Sequence, residues 1–555
     1  MRAFQPELLD VPIQNSTAAL DFGEASAEDR GAIFTKKEVV DFILDLVGWT
    51  KDKDLSDHSL LEPSFGGGEF LNAALQRYLD SSSKKDSSTL RDRFFGIEVN
   101  RASFDATSQL LSTTLAEAGF EESEANELVS GWLHLGDFLL LPINRQFTHI
   151  VGNPPYLRQE SIPSELLAEY RIRYSTMYDR ADLYVPFFER SMLLLQQGGK
   201  NGFICSDRWM KNKYGGPLRS LVSLDCHLDA YIDFTGCPAF HDEVVAYPAV
   251  TLIRRGTGRT TKAAYRPEVS AQTLSALIPA LRDSAKHPDV FAADGVLSDS
   301  NPWILERFDR LKVIREMESH FPLLEEAGCK VGIGVATGAD KVFIGRSGEL
   351  DVEPERQLPL VTTRDIASGE IVWGGLSVLN PFDDDSSQVV DLKRFPKFEK
   401  YIEKHRALIE NRHVAKKNPK SWFKTIDRIY PDLTHTPKLL IPDIKGSARV
   451  VYDEGSYYPH HNLYFITSSD WDLEVLQKII TSRIGEAFVH TYSVRMRGDF
   501  LRYQAQYLRR IRLPLWSDVS KSMRKILRDG SPNEVDDAIR RLYSLDKASW
   551  KALAA

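Results

Sequence analysis

A short apolar segment that runs into a glycine loop and then an amphipathic helix constrains the fold of this chain more than any other feature. Residues 59–62 predict a buried strand, residues 63–68 (Pro-Ser-Phe-Gly-Gly-Gly) follow it directly, and residues 69–79 have a helical pattern. Gly66 and Gly68 lack a side chain, so the loop can bend and bring bare backbone close to a ligand at a helix N-terminus. A plain turn is the alternative interpretation.

The alternation of strands and helices continues downstream. Further strands are predicted at residues 94–99, 147–152, 200–206, 228–234 and 249–254, and helices at residues 35–47, 101–118, 125–133 and 182–195. This pattern is typical of a doubly wound, mostly parallel α/β sheet with functional residues at the carboxyl ends of its strands. Beyond residue 265 the alternation fades. We therefore expect a flexible N-terminal arm (1–30), an α/β catalytic domain (31–265) and a mixed α+β domain (266–555).

Composition excludes several classes of protein. The 555 residues carry 70 Lys+Arg against 78 Asp+Glu, and this formal charge of -8 argues against a uniformly basic nucleic-acid packaging protein. No run approaches the ~18 apolar residues that span a bilayer, so we expect no membrane association and a cytoplasmic location. The four cysteines form no CxxC pair. We predict neither disulfides nor structural zinc, and no metal site.

Asn153-Pro154-Pro155-Tyr156 follows the strand predicted at residues 147–152 and suits the binding of a planar amine. The asparagine carboxamide oxygen and a proline carbonyl can accept hydrogen bonds from both hydrogens of an exocyclic NH2 group, and the tyrosine ring can lie on the face of a base. Asn-Pro-Pro is also good turn chemistry, and a bare turn remains the alternative. Amine-directed methyl transfer is the chemistry that this motif indicates.

Two basic segments are candidates for contacts with nucleic acid. Residues 495–512 contain arginines opposed only by Asp499 and interleaved with aromatic residues, which can bind phosphates and stack on bases. A solvated helix face is the alternative for this segment. Residues 207–219 place lysines and arginines around Gly215 and Gly216. That segment is typical of a mobile loop over a nucleic-acid backbone.

Taken in this order, the motifs resemble class I S-adenosylmethionine-dependent methyltransferases, and in particular the gamma class of DNA adenine-N6 methyltransferases of restriction-modification systems. The resemblance covers nearly the whole chain and is strongest from residue 31 to residue 255. It implies a seven-stranded methyltransferase sheet followed by a target-recognition domain, with segments 335–343, 363–366 and 503–509 in the latter. It also implies S-adenosylmethionine as cofactor, double-stranded DNA as partner and a monomeric enzyme. A separately encoded cognate restriction endonuclease is a candidate partner.

The resemblance implies a role for each candidate residue. Asn153, Pro154 and Tyr156 would be catalytic, and Tyr156 and Phe240 would stack on the target base. The cofactor-binding candidates are Thr35, Glu62, Pro63, Phe65, Gly66, Gly68, Glu98, Asp137, Phe138 and Asn153. The DNA-binding candidates are Arg208, Lys211, Lys213, Arg495, Arg497, Arg509 and Arg510.

Three of these assignments have simpler alternatives, and for Thr35 the simpler interpretation, an ordinary N-cap, is compatible with the functional one. Glu98 would accept hydrogen bonds from ribose hydroxyls, although it lies further from the glycine loop than the usual ~20 residues, and a solvated carboxylate is its alternative. Asp137 would accept from the cofactor's adenine amine while Phe138 packs on that ring, or Asp137 would cap a turn. Thr35 is expected to cap the helix whose N-terminus holds a carboxylate. Phe240 could instead be a core residue.

Amine chemistry explains why the motif would be needed. The N6 lone pair of adenine is delocalised into the ring, so a site must favour a pyramidal nitrogen as the new bond forms. Two fixed acceptors, the Asn153 side-chain oxygen and the Pro154 carbonyl, would do this and would stabilise the developing positive charge. A base inside a duplex cannot reach such a pocket and has to be extruded.

Two other functions remain open at this point. One is amine methylation of another substrate, such as cytosine N4 or an RNA base, although cytosine-N4 enzymes usually have serine at the position of Asn153. The other is a catalytically weak DNA-recognition subunit of a larger restriction complex. The intact Glu62, Gly66, Gly68 and Asp137 argue against loss of catalysis.

Overall fold

The computed structural model describes residues 16–81, 83–241, 247–305, 308–383, 388–445, 449–493 and 501–554. The chain divides into two compact units, Met1–Arg307 and Phe308–Ala555. In the described ranges, no helix has both the length and the apolar character needed to cross a bilayer.

The first unit is built on one large sheet. Its strands are β1 (Leu60–Glu62), β2 (Phe94–Glu98), β3 (Leu133–Leu135), β4 (Phe147–Gly152), β5 (Leu195–Ser206), β6 (Cys226–Asp233), β7 (Pro248–Arg255), β8 (Thr260–Tyr265) and β9 (Val290–Asp294). Its helices are α1 (Ser16–Gly23), α2 (Ala27–Arg30), α3 (Lys37–Val47), α4 (Glu69–Asp80), α5 (Ser87–Leu90), α6 (Arg101–Glu117), α7 (Glu122–Trp132), α8 (Ser164–Arg173), α9 (Tyr184–Leu194), α10 (Arg208–Lys211), α11 (Gly216–Asp225) and α12 (Ala271–Arg282).

The strand order is β3-β2-β1-β4-β5-β7-β6-β8-β9, and the predicted doubly wound, mostly parallel sheet is confirmed. Strands β1 to β5 pair in parallel, whereas β7 is antiparallel to both of its neighbours. Among the residues that the structure describes, the sheet has nine strands rather than the expected seven, because β8 and β9 continue it beyond β6. The sheet therefore extends past the boundary expected at residue 265, and the compact unit ends at Arg307.

Two apolar layers cover the two faces of this sheet. Neighbouring residues on each strand point to opposite faces, so Leu60 and Val151 join one core cluster while Leu61 and Ile150 join the other. Helices α3, α4, α7 and α12 contribute to the first cluster, and α8, α9 and α11 contribute to the second. Burial of near-continuous apolar strands between two helical layers is what makes the parallel sheet stable.

Two helices lie within residues 16–30, part of the segment 1–30 that was expected to be a flexible arm. Helices α1 and α2 occupy residues 16–30, and the Gly23 carbonyl accepts a hydrogen bond from the Asn100 side chain at 2.9 Å. Ser26 caps α2 and Gly31 ends it in the left-handed conformation. Short helices with side-chain caps leave little periodicity in the sequence, which explains the difference.

The second unit contains small, mostly antiparallel sheets, as the expected mixed α+β architecture requires. Its strands are β10 (Cys329–Ile333), β11 (Ile344–Arg346), β12 (Gln357–Val361), β13 (Leu376–Leu379), β14 (Lys438–Pro442), β15 (Ile444–Lys445), β16 (Val451–Asp453), β17 (Tyr458–Pro459), β18 (Leu463–Ser468) and β19 (Leu501–Arg502). They form the sheets β10-β18-β14-β16, β11-β13-β12-β17 and β15-β19.

Helices surround these sheets. They are α13 (Phe308–His320), α14 (Asp340–Phe343), α15 (Pro396–Lys404), α16 (Arg406–Ile409), α17 (His413–Lys417), α18 (Asp432–His435), α19 (Leu473–Ile480), α20 (Arg483–Tyr492), α21 (Ala505–Leu508), α22 (Lys521–Asp529), α23 (Pro532–Leu542) and α24 (Lys547–Ala552).

Candidate active site

A pocket opens at the carboxyl ends of β1, β2, β3 and β4, where the strand order reverses between β1 and β4. Parallel α/β sheets bind their ligands at this kind of switch point. The pocket has a volume of about 890 Å³, including the part open to solvent. It is lined by all the predicted cofactor-binding residues except Gly68, namely Thr35, Glu62, Pro63, Phe65, Gly66, Glu98, Asp137, Phe138 and Asn153.

The glycine loop after β1 has the backbone conformation that requires glycine. Gly66 and Gly68 have φ angles of +51° and +78°, which lie in the left-handed region. A Cβ atom at Gly68 would lie 2.5 Å from Cγ2 of Thr107, so α6 approaches the loop too closely for any side chain there. The Thr107 hydroxyl also donates to the Gly66 carbonyl at 3.1 Å. The loop is thus held rigidly at the start of α4.

Two buried carboxyl groups stand on either side of the glycine loop. Glu62 accepts a hydrogen bond from the Leu71 N–H at 3.0 Å, and burial, followed by repulsion from Glu69, raises its pKa well above the ordinary value. Glu98 accepts from the N–H groups of Gly66 at 2.9 Å and Asn100 at 2.8 Å. A carboxylate has about four acceptor positions, so Glu98 still has room for a ligand hydroxyl.

The N-terminal helices supply pocket residues that the sequence analysis missed. Arg30, at the end of α2, lies 3.6 Å from Oε1 of Glu98, and both side chains are largely buried. Phe22 of α1 also lines the pocket. Arg30 therefore balances the charge of the carboxylate expected to bind ribose. No sequence motif in residues 16–30 indicates this role, because the local pattern there is weak.

Asp137 lies two residues after β3 and is another carboxyl group of the pocket. Its Oδ1 accepts from the Leu139 N–H at 2.8 Å and its Oδ2 accepts from the Tyr170 hydroxyl. Burial raises the pKa of Asp137. The buried Arg190 donates to the carbonyls of Phe138 and Leu141 and so fixes the turn that carries Asp137. Tyr170 and Arg190 were not anticipated, because they come from α8 and α9.

Asn153 follows β4 and has one half of its carboxamide bound and the other half free. Its Nδ2 donates to the Ile33 carbonyl at 2.8 Å and to Oγ1 of Thr35 at 3.2 Å. Its Oδ1 is buried and has no hydrogen-bond partner in the described residues. Since the two acceptors fix which end is NH2, the oxygen is the end left for a ligand. Buried acceptors without a partner are rare in folded proteins.

Thr35 was expected to cap α3. It instead accepts a hydrogen bond from Asn153 and makes no cap. The N-cap residue is Lys36, whose side chain makes no capping hydrogen bond, and the helix begins at Lys37. Thr35 instead forms an isolated antiparallel bridge with Phe240, which gives it extended backbone and directs its hydroxyl to Asn153. The predicted end of the helix is confirmed at Gly48, whose φ angle is +93°.

Tyr156 and Phe240 are neighbours, although their rings are not parallel. The ring centroids are 6.1 Å apart and the planes meet at 79°, an edge-to-face contact. Phe240 is only 6% exposed and belongs to a core cluster. Tyr156 has a buried hydroxyl without a partner in the described residues, and burial raises its pKa well above the ordinary value. Pro154, which follows Asn153 in the sequence, is buried.

The basic segment after β5 is folded, whereas a mobile loop with a glycine hinge was expected. Arg219 is buried and donates to the carbonyls of Asn212 and Ser300 at 2.9 Å and 2.6 Å. A Cβ atom at Gly215 would lie 1.8 Å from the Trp209 carbonyl oxygen, so this glycine serves close packing. Among the DNA-binding candidates, Lys213 is exposed, Arg208 and Lys211 are half-buried, and Arg208 lies over the Tyr247 ring at 4.7 Å.

The arginine-rich segment of the second unit is engaged in contacts within the chain. Arg509 pairs with Glu325 at 3.0 Å and donates to the Val331 carbonyl at 2.8 Å, and Arg502 pairs with Asp443. Exposed Arg510 lies over the Tyr492 ring at 5.2 Å. The two interleaved tyrosines, 503 and 507, are buried and cannot stack on bases in this conformation. Arg495 and Arg497 lie outside the described residues.

Comparison with known proteins identifies both parts of the chain. Residues 73–240 match the Eco57I restriction-modification methylase family, and residues 360–515 match the TaqI-like C-terminal specificity domain. The chain is 50% identical to the Type II methyltransferase M.PaeR7I of Pseudomonas aeruginosa over 98% of its own length and 96% of that protein. It is 49% identical to M.XhoI of Xanthomonas vasicola over 95% of its own length and 99% of that protein.

A solved structure extends the likeness to the fold. The Type IIL restriction-modification enzyme MmeI in complex with DNA superposes with a TM-score of 0.59 over 92% of this chain and 72% of MmeI, at 12% identity. Together with the two full-length relatives, this agreement assigns the whole chain. It belongs to the Type II methyltransferases of restriction-modification systems and joins an Eco57I-type methylase domain to a TaqI-like specificity domain.

Proposed function

We propose that this protein methylates the exocyclic N6 amine of one adenine within a specific sequence of double-stranded DNA, after that adenine has been turned out of the helix. The observation that carries the proposal is the buried, unpartnered Oδ1 of Asn153, which is held in place through Nδ2. A fixed acceptor that has been desolvated but not satisfied is poised for an N–H donor. The amine of a base is a donor of the right shape.

The pocket beside Asn153 fits S-adenosylmethionine, the methyl donor that family membership implies. When bound, this cofactor supplies an electrophilic methyl group on a sulfonium sulfur. Glu98 keeps acceptor positions suited to ribose hydroxyls, and Asp137 keeps acceptor positions suited to an adenine amine. The Phe138 and Phe65 side chains provide apolar walls, and the glycine loop leaves its backbone accessible. These four features match the chemical groups of the cofactor.

Asn153 and Pro154 would act directly on the reacting nitrogen. The Asn153 carboxamide oxygen and the Pro154 carbonyl would each accept one hydrogen of the amine, which draws its lone pair out of ring conjugation. As the new bond forms, the nitrogen becomes positively charged and both hydrogen bonds become stronger. Acceptors that bind the transition state more tightly than the ground state increase the rate.

Tyr156 and Phe240 would enclose the extruded base only after a rearrangement. A base stacked between two rings requires both rings to be parallel to it, and here they meet at 79°. The Phe240 ring would therefore have to turn or withdraw when the base enters. Stacking on Tyr156 would offset part of the few kcal/mol that unpairing and unstacking cost.

The specificity domain would supply the sequence recognition that the pocket cannot. A pocket that contains a single base has no information about the flanking bases, so these have to be read by other side chains in the grooves and by phosphate contacts. In a restriction-modification system, methylation at one sequence protects that sequence from a cognate endonuclease. We propose this protective role for the chain, with a separate endonuclease as its partner.

The base that is modified can be identified directly. The full-length protein is incubated with S-adenosylmethionine labelled on its methyl group and with genomic DNA from a host that lacks this activity, and the DNA is digested to nucleosides. We expect all of the label in N6-methyldeoxyadenosine. Label in N4-methyldeoxycytidine would replace adenine by cytosine as the substrate.

A matched pair of variants tests the role of the pocket in the same assay. Asn153→Ala removes the proposed acceptor, and Asn533→Ala removes an exposed asparagine of α23. We expect label from the wild type and from Asn533→Ala, and none from Asn153→Ala. Failure of the wild type to label any nucleoside, while it still binds duplex DNA, would instead support the alternative of a recognition subunit without catalysis.

A further inference from the structure

Three metal-ligand side chains meet in the second unit, far from the methylation pocket in sequence. Asp340 is at the start of α14, and His460 and His461 lie between β17 and β18. One ligand atom from each residue lies within 4.8 Å of the others. The proposed methyltransferase chemistry assigns no function to this group. Asp340 is 120 positions from His460 in the sequence.

One of the three donor spacings matches that of a tetrahedral metal ion, and all three are at most 4.8 Å. Oδ2 of Asp340 and Nε2 of His460 are 3.4 Å apart. In tetrahedral zinc sites the bonds to nitrogen and oxygen are about 2.0–2.2 Å long, which places neighbouring donors roughly 3.3–3.5 Å apart. The two imidazole rings are adjacent, with centroids 4.0 Å apart. Two imidazoles and one carboxylate form a donor set for transition metals and not for Mg²⁺.

The imidazoles also have unused nitrogen atoms. The Nδ1 atoms of both His460 and His461 are buried and have no hydrogen-bond partner among the described residues. His460 is only 9% exposed as a residue. Nε2 of His460 faces Asp340, so the Nδ1 of His460 does not bear on the ion, whereas the unpartnered Nδ1 of His461 is a nitrogen that a metal ion can bind.

The surrounding contacts hold the three residues in place. The Thr337 hydroxyl donates to Oδ1 of Asp340, which leaves Oδ2 directed to His460. The backbone N–H groups of His460 and His461 donate to the carbonyls of Val361 and Val335, at 3.0 Å and 3.1 Å. Support of this kind orients metal ligands in known sites. A surface pocket lined by Asp340, His461 and Ile426 adjoins the cluster and leaves access for a fourth ligand.

We propose that Asp340, His460 and His461 bind one divalent transition-metal ion of the Zn²⁺ class, which joins the loop before α14 to the segment between β17 and β18. The prediction from cysteine spacing that the chain has no metal site did not consider this donor set. The ion would fix the loop at residues 335–343 within the second unit. This inference goes beyond the proposed methyl transfer and does not depend on it.

Metal titration of the untagged, full-length protein tests the proposal. The protein is first treated with a chelator and then titrated with Co²⁺, whose visible absorption reports four-coordinate binding, and with Zn²⁺ as competitor. We expect one equivalent to bind and at least a tenfold loss of affinity in both Asp340→Asn and His461→Gln. Asp340 is 46% exposed, so its amide variant is expected to fold.

A histidine outside the cluster provides the matched control. His320→Gln changes an exposed histidine of α13 and is expected to leave the titration unchanged. The absence of saturable binding to the wild type would overturn the proposal, and so would equal affinity in the wild type, Asp340→Asn and His461→Gln. Either outcome is independent of methyl transfer, which is measured with nucleosides.

Discussion

The two units of the chain differ in the contacts that their candidate binding residues make within the fold. In the first unit, Asn153 presents a buried oxygen with no partner in the described residues. In the second unit, Arg502 and Arg509 look like phosphate ligands in the sequence, but each is paired with a carboxylate of the same chain. Residue type alone therefore does not identify a binding group. Unused hydrogen-bonding capacity is informative where a pocket also reaches the group, as at Asn153.

The fold also explains why the candidate pocket is easier to locate than a DNA-binding surface. Strands β1 to β4 are parallel and end at one edge of the sheet, so the residue that follows each strand is brought to one place whatever its neighbours are. The small antiparallel sheets of the second unit have no such edge. Its surface residues have to be interpreted one contact at a time.

The largest effect is expected from removal of the unpartnered acceptor. Asn153→Ala should lower kcat by about 10²–10³-fold or more, the range found when one preorganised hydrogen-bonding group is removed from an active site. Affinity for duplex DNA that lacks the target adenine, measured by fluorescence anisotropy, should change little because the phosphate contacts are intact. An unchanged kcat would show that Asn153 has no part in the mechanism. It would also contradict the inference that the unpartnered oxygen of the first unit is functional.

The next effect concerns the rigidity of the glycine loop. Gly68→Ala places a methyl group in the left-handed region and against Thr107, and should destabilise the first unit by about 2 kcal/mol, measured by urea unfolding. Gly131→Ala is the matched control. Gly131 is exposed near the end of α7 with nothing within 4 Å of its Cβ position, and alanine there should be neutral or stabilising. Equal stability of the two variants would show that the loop is not constrained.

A smaller effect is expected from the residue that orients Asn153. Thr35→Val keeps the shape of the side chain and removes the hydroxyl that accepts from Nδ2 at 3.2 Å. The Ile33 carbonyl still holds the carboxamide, so kcat should fall only about fivefold, equivalent to about 1 kcal/mol. Thr113→Val, on the exposed face of α6, should have wild-type kcat. If Thr35→Val weakened cofactor binding and left kcat unchanged, Thr35 would be a cofactor ligand and not a positioning residue.

The smallest effect separates two adjacent arginines in the second unit. Arg510→Gln should reduce the slope of log affinity for DNA against log salt concentration by about one, the value for one lost phosphate contact. Arg509→Gln should change the slope by less, because Glu325 and the Val331 carbonyl already engage that side chain. Equal changes in slope would mean that DNA binding breaks the internal pair, and that the contrast between the units does not hold in the complex.

The sequence predicts the first unit well where local signals suffice. The glycine loop, the strands around it and the position of Asn153 follow from short patterns, and the structure brings the expected residues to one pocket. The additional strands β8 and β9 were missed because short strands near the edge of a sheet have no sequence pattern that separates them from loops. Thr35 lines the pocket, but its contact was predicted wrongly, because its bridge to Phe240 joins residues distant in the sequence.

Long-range contacts also explain the other omissions. Arg30 meets Glu98, and Arg190 meets the turn after Asp137, only through the tertiary fold. The edge-to-face angle between Tyr156 and Phe240 depends on side-chain packing, which no periodicity encodes. A search for ligand residues that are close in the sequence does not find the cluster of Asp340, His460 and His461, because Asp340 is distant from the two histidines in the sequence. In each case the sequence shows the residue type but does not show which residue it contacts.

A double-mutant cycle tests the central claim most directly. DNA binding is measured for the wild type and Asn153→Ala, each with a duplex that carries the target adenine and with one that carries purine, which lacks the exocyclic amine, at the same position. If the Asn153 oxygen accepts from that amine, the two changes should be coupled by about 1–3 kcal/mol. Additive losses, with no coupling energy, would contradict the account.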